Sequence, residues 1–251
     1  MSTNGTATTP KPPITQISAA SLTHLPSRIS YLRSFISFTT SDADTITSAA
    51  PLVAPLVPVI VDAVYTKLLS FSITASSFVP RQSGYNGATP SNIEDLSQEH
   101  PQIKFRKDFL AGYLKKLVTM DYEKMETWEY LDKVALMHTG AYGKGAFKHR
   151  KRELRVEYMH CAILLGYVED VVIGAVMGME IDQEAKTKVV AAFNKLLWIQ
   201  NDLFARHYIA DAEAKKASWS EISIPTGWLA AAAVGLVAFG AGLVRYSGMG
   251  L

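Results

Sequence analysis

The stretch from Asp121 to Gly140, Asp-Tyr-Glu-Lys-Met-Glu-Thr-Trp-Glu-Tyr-Leu-Asp-Lys-Val-Ala-Leu-Met-His-Thr-Gly, constrains this chain more than any other. It reads as a helix with a start and a stop. Asp121 offers a side-chain acceptor to the orphan amides of the first turn, and Gly140 supplies the backbone freedom that ends a helix. Between them Trp128, Leu131, Ala135 and His138 recur at steps of three or four and share one face. That face is apolar except for its last member. His138 admits two readings: a core histidine whose ring N–H bonds a backbone carbonyl, or a metal-ligating imidazole oriented by an acceptor such as the carbonyl of Val134, one turn back.

Helical spacing governs the chain before and after this stretch. Pro26-Ser27 opens a helix with Ile29, Leu32, Phe35 and Ile36 on one side, and Ser41 to Asp44 caps a second, short one. Pro51, Pro55 and Pro58 impose a bend, with a regular helix beginning near Pro58. There Val61, Val64, Tyr65, Leu68 and Leu69 fall on one buried face, so Tyr65 points inward. Residues 79–90 read as a loop, and Ser91 to Glu94 as a capping box for one or two turns. Pro101 opens a helix whose stripe of Phe105, Phe109, Tyr113 and Leu117 is either ordinary core or the wall of a cofactor pocket. Two long helices follow, Leu154 to Met179 and Gln183 to Ile209, the second capped by Asp182. The first is apolar almost all round, as expected of a central or interface helix. No alternation of period two stands out, so the class is all-α, with about eight helices before the last apolar segment.

Between Glu221 and Arg245 no residue is charged, and from Trp228 to Val244 every residue after the tryptophan is Leu, Ala, Val, Gly or Phe. Such a run matches the roughly 20 residues that cross a bilayer as a helix, and Trp228 and Tyr246 bracket it as interfacial anchors do. The chain stops soon after, so the expectation is a transmembrane tail anchor over 224–246, joined by a linker at 213–223. The folded domain at 22–212 then faces the cytosol from the endoplasmic reticulum or mitochondrial outer membrane, and 1–21 is a disordered lead. Lipid is accordingly an expected partner.

Composition excludes several classes of function. With 25 Lys and Arg against 23 Asp and Glu, the formal charge of +2 lacks the concentrated basic face that nucleic acid requires. The basic run Lys148-His-Arg-Lys-Arg152 is either a solvated helix start or a partner for propionates and lipid headgroups. Cys161, the only cysteine, rules out an internal disulfide and sits in an apolar run as a packing residue. Neither a phosphate-binding glycine loop, nor HExxH, nor CxxC occurs, and no histidine pair has zinc-ligand support.

Taken in order, the segment Val61-Asp-Ala-Val-Tyr65-Thr-Lys-Leu-Leu-Ser-Phe71, the aromatic helix, the segment Tyr130-Leu-Asp-Lys-Val-Ala-Leu-Met-His138 and the two long helices resemble the protoglobins and the haem domains of globin-coupled sensors. The resemblance runs from about Leu22 to Ile209. It implies a globin-like fold with an extra N-terminal helix and no short helix D, haem b held through its iron by His138, and Tyr65 as the distal tyrosine facing a bound gas. It also implies that Phe105 and Phe109 belong to the apolar distal helix and that subunits pair as a homodimer through the last two globin helices. The function that follows is a membrane-tethered globin binding O2, CO or NO as a gas sensor or local gas handler. Two other readings are a haem redox enzyme acting as an NO dioxygenase or peroxidase, which needs an electron donor from elsewhere, and a haem-free helical adaptor.

Overall fold

A computed structural model describes residues 14–140 and 155–221. The chain divides into two compact units, Met1–Ala205 and Arg206–Leu251. Among the described residues all regular structure is helical. The expected membrane segment at 224–246 and the basic run at 148–152 lie outside the described residues.

After a 3₁₀ turn at Ala19–Thr23, α1 (Leu25–Phe35) starts with proline in its first turn, where the missing N–H costs nothing. It ends when Ser37 takes a left-handed conformation (φ 55°) and the Phe38 amide donates to the Arg33 carbonyl at 2.8 Å. This turn corrects one expectation. Phe35 is 74% exposed, and Phe38, three residues on, enters the core in its place. The cap of α2 (Thr40–Ser48) is Thr39, two residues before the expected start, because Thr39 and Asp42 form the reciprocal capping box.

The prolines divide the next segment as expected. A single turn, α3 (Ala50–Val53), and a 3₁₀ turn (Ala54–Leu56) precede α4 (Val57–Leu69), with Pro58 in its first turn. Val57, Ile60, Val61, Val64 and Tyr65 of α4 are buried against Ile103. A short α5 (Ser72–Ala75) and a 3₁₀ turn (Ser76–Phe78) lead into residues 79–100, which carry no helix. The helical turn expected at Ser91 is instead a closed polar loop. Asp95 accepts from the amides of Ser91 and Asn92, and Asn92 accepts from the amide of Asp95. Side-chain acceptors here satisfy the backbone donors that a helix would otherwise need.

In α6 (Pro101–Leu117) the buried face is Gln102, Ile103, Arg106 and Leu117, rotated from the aromatic stripe. Phe109 is 54% exposed. Two polar residues thus take core positions that the spacing assigned to aromatics. Gln102 explains its own burial, since its amide nitrogen donates to the carbonyls of Phe78 (2.8 Å) and Pro80 (3.2 Å), and its oxygen accepts from the amide of Gln82 (3.0 Å). It fastens the 78–82 loop to α6.

The central helix α7 (Met125–His138) begins later than expected. Asp121 caps a turn through the Glu123 amide rather than the helix itself. Its first turns are held by an aromatic cluster: Trp128 donates to the Tyr122 carbonyl at 3.0 Å, and Phe38 meets both rings edge-on. Gly140 is left-handed (φ 78°), as the helix stop requires. Finally, α8 (Tyr158–Met177) and α9 (Gln183–Glu221) are the two long helices. The amide of Ala185 donates to Asp182, the expected cap. Helix α9 passes Ile209 because Ala, Glu and Lys dominate the residues that follow, and all three favour helix.

Candidate functional site

Helices α4, α6, α7, α8 and α9 surround a cavity of about 400 Å³. That volume lies within the roughly 300–1,000 Å³ range of ligand pockets. Its walls are mainly aliphatic and aromatic, including Leu110, Leu114, Leu164, Val168 and Leu197, and polar side chains enter at several points.

One such point is His138. Its Nδ1 lies 2.7 Å from the Val134 carbonyl, and this acceptor makes Nδ1 the protonated nitrogen and Nε2 the lone-pair nitrogen. The ring meets Phe204 of α9 edge-on at 5.1 Å. The carbonyl of His138 accepts from the Val156 amide at 2.9 Å, which ties the end of α7 to the approach to α8. An imidazole fixed this way has lost its freedom to rotate and presents one basic nitrogen.

Tyr65, Phe78 and Arg106 form a second cluster that lines the cavity. The Tyr65 and Phe78 rings are 5.6 Å apart, and the guanidinium of Arg106 lies over Phe78 at 4.9 Å while donating to the Pro80 carbonyl at 3.2 Å. Burial pushes the Tyr65 phenol well above its usual range, with the nearby Arg106 charge acting in the opposite direction. Tyr65 therefore stays a neutral O–H donor at any physiological pH. Behind the cavity, the Tyr113 hydroxyl donates to Gln200 of α9 at 3.1 Å, and the Gln200 amide donates to the Leu131 carbonyl at 3.3 Å. This buried chain couples α6, α9 and α7.

Of the four residues singled out from the sequence, the fold brings His138, Tyr65 and Phe109 to the cavity wall. Phe105 is not on it. It packs against Tyr85 and Phe109 at 5.4 and 5.0 Å, on the outer side of α6, because Gln102 and Arg106 turn that face away from the cavity. Sequence reasoning missed Arg106, Phe78, His160, Cys161 and Phe204. Helical periodicity ranks polar residues as outward-facing, and Phe78 and Phe204 reach the cavity only through tertiary packing. Cys161 is buried as expected, and it also lines the cavity.

A sequence profile of the Protoglobin family matches residues 25–214. The chain belongs to the protoglobin family. Protoglobins are haem-binding globins, and the all-α fold is accordingly globin-like. The "globin domain of Geobacter sulfurreducens globin-coupled sensor" is a similar solved structure, with 17% identity and a TM-score of 0.49 over 72% of this chain and 97% of that one. No curated protein matches the chain.

The protoglobin's cavity fits a haem by the chemistry of its own residues. A flat apolar macrocycle calls for aliphatic and aromatic walls, and its iron calls for one oriented imidazole. Leu110, Leu114, Leu164 and Leu197 supply the walls, and His138 with its Val134 acceptor supplies the imidazole. Among the described residues no group of three or more His, Cys, Asp or Glu side chains could hold a bare metal ion.

Proposed function

We propose that this protoglobin holds haem b in the cavity between α4, α6, α7, α8 and α9, with His138 as the axial ligand, and binds a diatomic gas there as a sensor or local gas handler. The observation that carries the reading is the hydrogen bond from His138 to the Val134 carbonyl at the wall of a largely apolar cavity. It fixes the tautomer that leaves Nε2 basic, as metal-bound histidines require.

When bound, haem supplies an iron that takes O2, CO or NO. The chain supplies everything that tunes it. Tyr65 offers a buried hydroxyl donor on the cavity wall, and the aliphatic side chains keep water away from the metal. Helix α7 holds His138 in place between Phe204 and Val134.

Two further proposals concern assembly. Helix α8 is strongly apolar, yet only Cys161 and Val176 of it are buried, while Met159, Ile163, Ile173 and Met177 stand exposed. A homodimer joined through α8 and α9 would cover them. The uncharged run after Glu221 is long enough to tether the domain to a membrane, with the globin on the cytosolic side.

The test is the visible absorption spectrum of the full chain in detergent, produced with haem available, in oxidised, reduced and CO-bound forms. An intense Soret band that shifts with CO and is lost or displaced in His138→Ala supports the reading. A folded helical protein that takes up no stoichiometric haem would sink it and leave the adaptor.

A further inference from the structure

Gln200 of α9 is 2% exposed, and an amide so enclosed needs partners at both of its ends. The Leu131 carbonyl of α7 can only accept, so the Gln200 nitrogen faces it, at 3.3 Å. The Gln200 oxygen is left to accept from the Tyr113 hydroxyl of α6, at 3.1 Å. The chain of donors therefore runs one way, from α6 through α9 to α7. Tyr113 keeps the amide from turning over, because a reversed amide would set its nitrogen against the phenol and its oxygen against the Leu131 carbonyl, two acceptors facing each other.

Helical spacing carries this contact to the imidazole. Leu131 and His138 are seven residues apart, two turns of α7, so they share a face. Gln200 and Phe204 are one turn apart on α9, and the Phe204 ring meets His138 edge-on at 5.1 Å. Helix α9 thus holds α7 at two points, by a hydrogen bond two turns before the imidazole and by a ring against the imidazole itself. Between the two lies Val134, whose carbonyl takes the Nδ1 proton of His138 at 2.7 Å. Ring contacts tolerate a small slide or rotation of one helix on another, whereas a directed bond to one carbonyl fixes both.

We infer that Gln200 is a positioning residue for the axial histidine: its bond to the Leu131 carbonyl holds the turns of α7 that carry Val134 and His138, and Tyr113 holds Gln200. The inference rests on the reading of His138 as the ligand of haem iron. Gln200 touches neither haem nor gas and acts through α7 alone, so its removal alters the bond between iron and imidazole while leaving the cavity walls in place.

The full chain, loaded with haem in detergent, is compared with Gln200→Met, which keeps the volume and loses both bonds, and with Gln200→Glu. Two readouts are taken: the iron–histidine stretching band of the ferrous form by resonance Raman, and amide hydrogen exchange in α7 and α2. Gln200→Met is expected to shift or split the band and to quicken exchange at residues 131–138 about tenfold, with α2 changed less than about twofold. At about pH 6 a buried carboxyl stays protonated and offers a donor and an acceptor in the same places, so Gln200→Glu should return both readouts toward wild type. Should Gln200→Met not fold, Gln200→Asn, whose shorter arm cannot span Tyr113 and Leu131, takes its place. An unchanged band in the variant overturns the inference. So does exchange that quickens equally in α2 and α7 with no recovery in Gln200→Glu, since that makes Gln200 a contributor to general stability only. A wild-type chain that takes up no haem refutes the functional proposal, and the inference with it, before any variant is made.

Discussion

Tyr65 and Tyr122 show how burial, rather than residue type, sets the chemistry of a side chain. Each phenol is nearly enclosed, at 6% and 1% exposure, and desolvation raises each above its ordinary value of 10.0. The Tyr122 hydroxyl donates to the Leu117 carbonyl at 2.6 Å, a bond that only the neutral form can make. The sign of the linkage follows. Above pH 10 the unfolded chain releases these protons and the folded chain keeps them, so stability falls as pH rises, by at most about 1.4 kcal/mol per pH unit for each buried tyrosine. Urea unfolding followed by circular dichroism should therefore show stability holding to about pH 10 and declining beyond it. Tyr65→Phe should have a shallower decline. An identical slope in the variant would mean that Tyr65 ionises freely in the folded protein. The residues that carry the site were unequally legible: His138 and Tyr65 sit on apolar stripes and can be read from spacing, whereas Arg106 looks like any surface cation until the fold encloses it.

At the scale of elements, the cavity depends on a loop being fastened to a helix. Gln102 is fully buried and makes three hydrogen bonds to the 78–82 segment, which carries Phe78 and brings Ser77 and Ser83 to the wall. Gln102→Leu keeps the volume and leaves three backbone groups without this partner. A cost of about 2–3 kcal/mol is expected, equal to a melting point lower by about 4–12 °C. Amide hydrogen exchange should quicken at Gln82, whose amide loses its acceptor. Unchanged protection there would show that the loop is held by other contacts. The end of α1 offers the opposite sign. Ser37 pays for a left-handed conformation that glycine adopts freely, so Ser37→Gly should raise stability by about 0.5–1 kcal/mol in a thermal melt.

For the whole molecule, the question is what covers α8. Its length and hydropathy, like those of Ala50–Leu69, would suit a membrane span, but His160, Cys161, Leu164 and Val168 of α8 border the same cavity as His138 of α7 and Tyr65 of α4, which places the helix in the globin wall. Its outward residues Met159, Ile163, Ile173 and Met177 are exposed, and this is the face through which a second copy is proposed to pack. Ile163→Glu, which puts a charge in the middle of that surface, should weaken association about tenfold or more, read by analytical ultracentrifugation in detergent against the wild type. A wild-type protein that sediments as a monomer at every concentration would count against the dimer.

The sequence by itself determined that the chain is helical, where most helices run, and that His138 ends a buried face with Val134 one turn behind it. These are local matters: a spacing of three and four, a proline in a first turn, a glycine at a stop, a carbonyl four residues back along the same helix. Tertiary structure decided the rest. The rotation of α6 that sends Phe105 outward and Arg106 inward comes from three bonds between Gln102 and a loop some twenty residues away. The entry of Phe38 to the core comes from a left-handed serine whose carbonyl accepts from Lys195 on α9. Such pairings join residues far apart in the chain, so no periodicity within one helix can encode them, and they set which side chains face the cavity.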